Sequence, residues 1–187
     1  MRSFIAIELP LSIRSALVEL QQELKGCNAD IRWVKPDNIH LTLKFLGDVT
    51  EGRIDEIIEG TREVCGRHCQ KGLEVRGLGV FPNRRSPRVL WVDVIGDGQL
   101  SGLQSDIEDA MSRAGFKKEK RGYTPHLTIG RFRSLKDKDQ LFERITKLSN
   151  SSLGFMDVKS VALMRSDLSP AGAKYTRIAE LSLSGLF

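Results

Sequence analysis

The tetrapeptide His40-Leu41-Thr42-Leu43 returns 86 residues later as His126-Leu127-Thr128-Ile129. In both copies polar and apolar residues alternate with a period of two, which predicts a half-buried β-strand. Residues i and i+2 of a strand share a face, so each histidine points to the same side as the threonine that follows it. We therefore expect two equivalent strands, each with a buried apolar face and a His-x-Thr polar face.

The flanking sequence repeats at almost the same spacing. Residues 4–7 correspond to residues 90–93 at an offset of 86, and Ser86-Pro87 corresponds to Ser169-Pro170 at 83. A repeat of this length is half a domain rather than a solenoid unit. It predicts an α+β fold with two pseudo-symmetric lobes in one domain over residues 1–187. Each lobe is expected to be an antiparallel sheet with outer helices, with an active-site cleft between the lobes.

Hydrophobic periodicity also locates the individual elements. The predicted helices are residues 13–24, 53–68, 100–114 and 135–148. The predicted strands are residues 4–7, 31–34, 39–45, 73–81, 88–94, 125–132, 155–164 and 175–183.

Composition indicates a globular, mildly basic protein. Of 187 residues, 29 are Lys or Arg and 24 are Asp or Glu, for a net charge of +5, and 40% are hydrophobic. This balance excludes a disordered or low-complexity chain. With no apolar run near the ~20 residues of a membrane helix and no signal-peptide pattern, we expect a cytoplasmic monomer without membrane contact. Three cysteines are too few for a disulfide framework.

Convergence of the two His-x-Thr strands predicts acid–base chemistry on a phosphate ester. Such cleavage needs a base, an acid and hydrogen-bond donors around the phosphoryl oxygens. Histidine, with an ordinary pKa of ~6.5, fills either proton-transfer role, and threonine hydroxyls donate without adding charge. His40 and His126 are therefore the candidate catalytic residues, with Thr42 and Thr128 as substrate contacts.

Two other interpretations of the histidines remain open, an ordinary structural role and a zinc site. Most histidines on strands are ordinary residues satisfied by a hydrogen bond or by water. A zinc site is less favoured because no acidic or thiol ligand accompanies the motif, and Cys27, Cys65, His68 and Cys69 lack the usual paired spacing. The sequence thus predicts neither a metal nor a cofactor.

Lys44, Phe45 and Arg131, which follow the motifs, are further candidates for substrate binding. Phe45 and Arg131 each follow a motif histidine by five residues, and both side chains can stack on a base. Alternatively, Phe45 belongs to the core, because it has the parity of Leu41, and Arg131 is a solvated strand end. Lys44 has the parity of His40, so we expect it to approach a phosphate or to be solvated.

Two segments around the motifs carry a resemblance to a known family. They are Arg32-Trp33-Val34-Lys35-Pro36-Asp37-Asn38-Ile39-His40-Leu41-Thr42-Leu43-Lys44-Phe45-Leu46-Gly47 and Thr124-Pro125-His126-Leu127-Thr128-Ile129-Gly130-Arg131. Both resemble the 2′-5′ RNA ligase family. This family, also called RNA 2′,3′-cyclic phosphodiesterases, belongs to the two-histidine (2H) phosphoesterases. The resemblance covers nearly the whole chain.

The resemblance implies opening of a terminal RNA 2′,3′-cyclic phosphate to a 2′-phosphate without a metal, with possible reversal as 2′-5′ ligation. RNA with such an end, tRNA halves included, is the implied partner. His40 would protonate the departing 3′ oxygen and His126 would activate water. Thr42 and Thr128 would hold phosphate oxygens, and a base would lie between Phe45 and Arg131. Small cyclic nucleotide phosphates, 2′-5′ oligoadenylates or RNA binding without turnover are the alternatives.

Overall fold

The computed structural model describes residues 1–96, 98–170 and 172–185. Within these residues the chain forms nine strands, four α-helices and two short 3₁₀ turns. The strands are β1 (Arg2–Glu8), β2 (Ile31–Trp33), β3 (His40–Asp48), β4 (Lys71–Phe81), β5 (Val89–Ile95), β6 (His126–Phe132), β7 (Ser152–Val158), β8 (Ser160–Ser169) and β9 (Gly172–Ser182). The helices are α1 (Leu11–Lys25), α2 (Ile54–Cys65), α3 (Gln99–Arg113) and α4 (Lys138–Lys147).

The strands pair in the order β7-β4-β5-β6-β3-β1-β8-β9, with β2 added beside β6, and every recorded pairing is antiparallel. The order is symmetric about its centre, because β3 corresponds to β6, β1 to β5, β8 to β4 and β9 to β7. The predicted α+β class with two pseudo-symmetric antiparallel lobes is therefore confirmed.

The two lobes do not coincide with the two halves of the sequence. One lobe contains β1 and β3 together with β8 and β9 from the end of the chain, and α2 and α3 pack on it. The other lobe contains β4 to β7, against which α1 and α4 pack. Within the described part of the chain the lobes meet where β3 pairs with β6 through Leu41 and Leu127. Each sequence half thus contributes to both lobes.

Strand register refines two of the predictions. The predicted strand 155–164 is two strands, β7 and β8, that separate at Lys159 and join different lobes. Glu8 lies opposite His40, and Asp93 lies opposite His126, so β1 and β5 correspond at an offset of 85 rather than 86. A shift of one residue exchanges the two faces of a strand, and such a shift is decided by packing between strands.

Each motif strand contains an extra residue just after its His-x-Thr motif. Ala6 pairs with Thr42 and Ile5 with Lys44, which leaves Leu43 unpaired in β3, and a second shift further along leaves Leu46 unpaired as well. Ile129 is extra in β6 in the same way, at the register shift between Leu90 and Trp91. Such bulges interrupt the alternation of faces. Residues beyond each bulge therefore point to the opposite side from the one that a strict period of two predicts.

A mostly aliphatic core lies between the helices and one face of the sheet. It includes the motif residues Leu41, Leu43, Leu127 and Ile129. The opposite face carries the histidines and is left uncovered by the helices. No helix among the described residues has the length and apolar content that crossing a membrane requires.

Candidate active site

The two His-x-Thr motifs lie side by side at the centre of the sheet. Because β3 and β6 run antiparallel from the Leu41–Leu127 pair, His40 and Thr42 lie next to Thr128 and His126. All four residues are half-buried and alternate with buried apolar residues. The predicted convergence of two imidazoles and two hydroxyls is therefore present in the structure.

Both imidazoles are held in the same way. Nδ1 of His40 lies 2.9 Å from the carbonyl oxygen of Asn38, and Nδ1 of His126 lies 2.8 Å from that of Thr124. A carbonyl oxygen only accepts, so each Nδ1 carries a proton and donates it. Nε2 of each neutral ring is then the acceptor nitrogen. The two halves thus present equivalent imidazoles with the same tautomer.

Aromatic side chains surround His40. The Phe4 ring stacks on the imidazole with 4.6 Å between centroids, and the Tyr175 ring meets it edge-on at 5.1 Å. Burial among these groups lowers the pKa of His40 to about 4, because desolvation disfavours the imidazolium. His40 is therefore neutral at pH 7 in the free protein.

His126 has a corresponding but more open setting. Phe81 meets its imidazole edge-on with 5.0 Å between centroids, and Trp91 does so at 6.4 Å. Trp91 lies directly opposite Thr128 on β5, where the other lobe has Ala6 opposite Thr42. The site therefore has two half-sites, one formed by His40 and Thr42 and the other by His126 and Thr128. They have the same polar groups and differ in the side chains on the neighbouring strand.

A carboxylate residue lies beside each histidine on the neighbouring strand. Glu8 pairs with His40, and Asp93 pairs with His126. Arg177 forms an ion pair with Glu8 at 3.0 Å. These two acidic residues define one border of each half-site and are equivalent in the repeat.

The bulges bring Phe45 and Arg131 to the face that carries the histidines. Phe45 lies opposite Phe4, is 71% exposed and belongs to this face rather than to the core. Arg131 lies opposite Val89 and is also exposed. Because the strands are antiparallel, the two residues lie beyond opposite ends of the motifs, about 20 Å apart at ~3.3 Å per strand residue. A base between them would require both side chains to lean over the histidines.

Lys44 does not lie on the face of β3 that carries His40, as the period of two predicts. The prediction that it approaches a phosphate is therefore wrong. Past the bulge it pairs with the core residue Ile5, and it is only 4% exposed. Its Nζ forms a short ion pair with Glu108 on α3 and donates to the Lys117 carbonyl at 2.6 Å. The ammonium thus fastens the segment before β6 to β3.

Other residues at the site were not predicted from the sequence. Tyr123 donates its hydroxyl to the Thr42 carbonyl at 3.3 Å, and burial raises its pKa. Like Phe4, Tyr175 and Glu108, it carries no local pattern that indicates this role. Glu8 and Asp93 are the exception, because they occupy equivalent positions in the repeat. The repeat offset of 86 aligns Glu8 with residue 94 instead of Asp93, so the sequence comparison did not reveal this equivalence.

No group of three or more His, Cys, Asp or Glu side chains among the described residues is arranged to hold a metal ion. The remaining histidine, His68, lies just after α2 and pairs with Asp106 on α3 at 2.8 Å. It is separate from the row of histidines and threonines.

The fold and this site define a class of protein, a two-lobed α+β protein with a pair of histidines between its lobes. The sequence profile of the LigT like Phosphoesterase family matches residues 7–91 and 95–175. The chain belongs to this family.

Several relatives are similar over nearly their whole length. An RNA 2′,3′-cyclic phosphodiesterase of Methanothermobacter thermautotrophicus is 39% identical, with 94% of this chain and 95% of the relative covered. A protein of the same name from Aquifex aeolicus is 32% identical, with 98% of each chain covered.

Solved structures have the same fold. The structure of TT0787 of Thermus thermophilus aligns with a TM-score of 0.83 at 27% identity, covering 99% of both chains. The E. coli LigT structure complexed with 3′-AMP aligns with a TM-score of 0.76 at 25% identity, covering 98% of both chains.

Proposed function

We propose that this protein is an RNA 2′,3′-cyclic phosphodiesterase, which opens a terminal 2′,3′-cyclic phosphate to a 2′-phosphate. One observation carries the proposal: His40 and His126 lie on adjacent strands, and Nδ1 of each imidazole lies within hydrogen-bond distance of an equivalent carbonyl oxygen. Two identical proton-transfer groups on either side of a symmetric centre suit displacement at one phosphorus. The names of the relatives support the same substrate.

In the proposed reaction His126 accepts a proton from water through Nε2, and the water oxygen attacks phosphorus. The bond from phosphorus to the 3′ oxygen breaks, and His40 protonates that oxygen, leaving the phosphate on the 2′ oxygen. Thr42 and Thr128 donate hydrogen bonds to the phosphoryl oxygens. No step requires a metal ion, because both proton transfers and the hydrogen bonds come from side chains.

The acid role of His40 requires a change when substrate binds. In the free protein its pKa of about 4 keeps the ring neutral. The negative charge of a phosphate at the imidazole stabilises the imidazolium and raises this pKa. A bound phosphate therefore favours the protonated form of His40 that the acid role requires, so the acid is coupled to the presence of the substrate.

The proposal includes joining of RNA ends by the same steps. A 5′-hydroxyl takes the place of water, loses its proton to His126 and attacks phosphorus, the bond to the 3′ oxygen breaks, His40 protonates that oxygen, and a 2′-5′ linkage results. We propose RNA ends with a cyclic phosphate, such as those of tRNA halves, as the partner, and a monomer in the cytoplasm as the working form.

The decisive experiment is incubation with RNA that ends in a 2′,3′-cyclic phosphate, with identification of the product. We expect a 2′-phosphate, and the variants His40→Ala and His126→Ala should each be ~100-fold slower or more while remaining folded. His68→Ala is the matched control, since its imidazole lies just after α2 and pairs with Asp106 on α3. A 3′-phosphate product, or near-normal rates in both motif variants, would refute the proposal. Binding of the RNA without turnover would favour the non-catalytic alternative.

A further inference from the structure

The tip of the β8–β9 hairpin, residues 167–169 and 172–174, lies close to the start of β3. Pairing of β8 with β1 ends at Ser166, and beyond it the two sides of the tip pair only with each other within the described part of the chain. The beginning of β9 nevertheless contacts the 3₁₀ turn Pro36–Asn38, which directly precedes β3. The hairpin therefore bends back over the face that carries the histidines.

A single side-chain hydrogen bond fastens the tip to this turn. Nδ2 of Asn38 donates to the Ala173 carbonyl at 2.7 Å. As far as the structure describes the chain, no other hydrogen bond or ion pair joins the tip to a residue outside the hairpin. A two-stranded hairpin is marginally stable on its own in water, so one anchoring contact has a large effect on where the tip lies.

Asn38 also orients the imidazole of His40. Its backbone carbonyl accepts the hydrogen bond from Nδ1 at 2.9 Å. The 3₁₀ turn fixes this carbonyl, because the backbone amide of Asn38 donates to the Lys35 carbonyl at 2.8 Å. Asn38 thus binds the imidazole through its backbone and the hairpin through its side chain.

Tyr175 links the position of the tip to His40. It lies two residues after Ala173, and its ring meets both the His40 imidazole and the Phe4 ring edge-on at 5.1 Å. The same ring packs on a small apolar cluster around Phe4 that is separate from the main core. A displacement of the tip therefore moves one of the two rings that enclose His40.

The other half-site lacks this tether. Thr124 is equivalent to Asn38 at the offset of 86, and its carbonyl holds His126 in the same way. Among the described residues, however, the Thr124 side chain forms no hydrogen bond to a hairpin. The tether therefore belongs to the half-site of His40 alone.

We infer that Asn38 is a positioning residue that holds the β8–β9 hairpin over His40 and so fixes the imidazole that acts as the general acid. The inference rests on the proposed function for the role of His40, and it adds the residue that keeps this acid in place. A displacement of ~1 Å in a catalytic group can cost ~100-fold in rate. Asn38 itself contacts no reacting atom and transfers no proton.

The titration of His40 reports on this packing. The other titratable groups that face it are Glu8 of β1, which is ion-paired with Arg177 of β9 at 3.0 Å, Tyr175 of β9 and His126 of β6. Replacing the uncharged Asn38 adds no charge to this set. A rise in the pKa of His40 in such a variant therefore indicates that water has reached the ring.

The test measures the His40 titration by NMR in the free protein and the kinetics with a cyclic phosphate in the same variants. We expect Asn38→Ala to raise the pKa of His40 from about 4 toward its ordinary ~6.5, because the released tip no longer shields the ring. Although more of the ring is then protonated, kcat should fall ~10-fold or more, because the acid no longer points at the 3′ oxygen. KM should change less than about 2-fold, since Thr42 and Thr128 still bind the phosphate.

A double-variant comparison tests the route of the effect. Tyr175→Ala should raise the pKa of His40 and lower kcat as well. Asn38→Ala/Tyr175→Ala should then be little worse than the more severe single variant, because both changes disrupt one arrangement and their effects do not add. Asn150→Ala is the matched control, since Asn150 lies in the exposed turn before β7.

The outcomes separate the inference from the function. An unchanged pKa or an unchanged kcat in a folded Asn38→Ala protein, or effects of the two single variants that add in full, would overturn the inference. Asn38→Val, which has the shape of the Thr124 side chain and no donor, replaces Asn38→Ala if that variant does not fold. The titration requires no turnover, so a protein that hydrolysed no cyclic phosphate would refute the proposed function while the titration still tested the tether.

Discussion

Gln21 on α1 and Glu108 on α3 hold comparable places in the internal repeat, and each reaches the motif strand of the other half. Nε2 of Gln21 donates to the Ile129 carbonyl on β6 at 2.9 Å, and also to Val34 at 2.8 Å. Glu108 binds Lys44 on β3 and accepts from the Glu119 backbone amide at 2.8 Å. Each of these buried contacts therefore joins a motif strand to a helix that comes from the other half of the sequence and packs on the same lobe.

The buried Lys44–Glu108 pair predicts a stability effect. Lys44→Met leaves the Glu108 carboxylate buried without its partner, so we expect the free energy of unfolding to fall by about 3–5 kcal/mol. The double variant Lys44→Met/Glu108→Leu removes both charges and should recover much of this loss. Denaturant unfolding measures both values. A loss below about 1 kcal/mol in the single variant, as for the exposed Arg62–Glu59 pair, would contradict the prediction.

The depressed pKa of His40 predicts that acid destabilises the protein. Between pH ~6.5 and pH ~4 the unfolded chain binds a proton at this histidine and the folded protein does not. The free energy of unfolding should therefore fall as the pH is lowered through this window and level off below it. His40→Gln removes this contribution, so the difference between variant and wild type is the measurement.

NMR titration of the His40 ring checks the same pKa directly. We expect a value near 4 in the free protein and a higher value with a nucleoside 2′-phosphate bound, because the phosphate stabilises the imidazolium. A value near 6.5 in the free protein, or no upward shift with the nucleotide, would contradict the coupling of acid to substrate.

Phe45 is expected to contribute to binding and little to folding. Loss of a base-stacking contact costs about 1–3 kcal/mol, so Phe45→Ala should raise KM roughly 10-fold and leave kcat nearly unchanged. The ring is 71% exposed, and the melting temperature should hardly move. Phe155→Ala is the matched control, since Phe155 is 75% exposed on the outer strand β7. Equal kinetic effects in both variants would argue against stacking at Phe45.

Removal of metal ions should leave the activity intact. The proposed proton transfers use only the two imidazoles, so dialysis against EDTA is expected to leave the hydrolysis rate of a cyclic phosphate unchanged. The rate with and without EDTA, followed by addition of zinc, is the measurement. Activity that disappears and returns with zinc would assign the chemistry to a metal site instead.

Local sequence predicted a large part of the fold and the centre of the site. Alternation around His40 and His126 is a property of neighbouring residues, and it correctly placed both histidines and threonines on one face. The helices were also located to within a few residues, because an amphipathic period is local. Symmetry between the lobes followed from the repeat of these patterns.

Local sequence patterns do not predict the bulges at Leu43 and Ile129. They arise from the fit of β3 against β1 and of β6 against β5, and they turn Lys44 into the core while exposing Phe45. The strict period of two therefore gave the wrong face for both. The chain also passes from one lobe to the other at Lys159, so that β7 and β8 belong to different lobes. This too depends on packing between distant segments.

By itself, the sequence determined that two equivalent His-x-Thr strands exist, because side-chain alternation and repetition are written in consecutive residues. Only the tertiary structure decided what surrounds them. Cross-strand register set Glu8 beside His40 and Arg32 beside Arg131, and packing of Phe4 and Tyr175 lowered the pKa of one histidine. Register and burial depend on contacts between residues far apart in the chain, so no local pattern contains them.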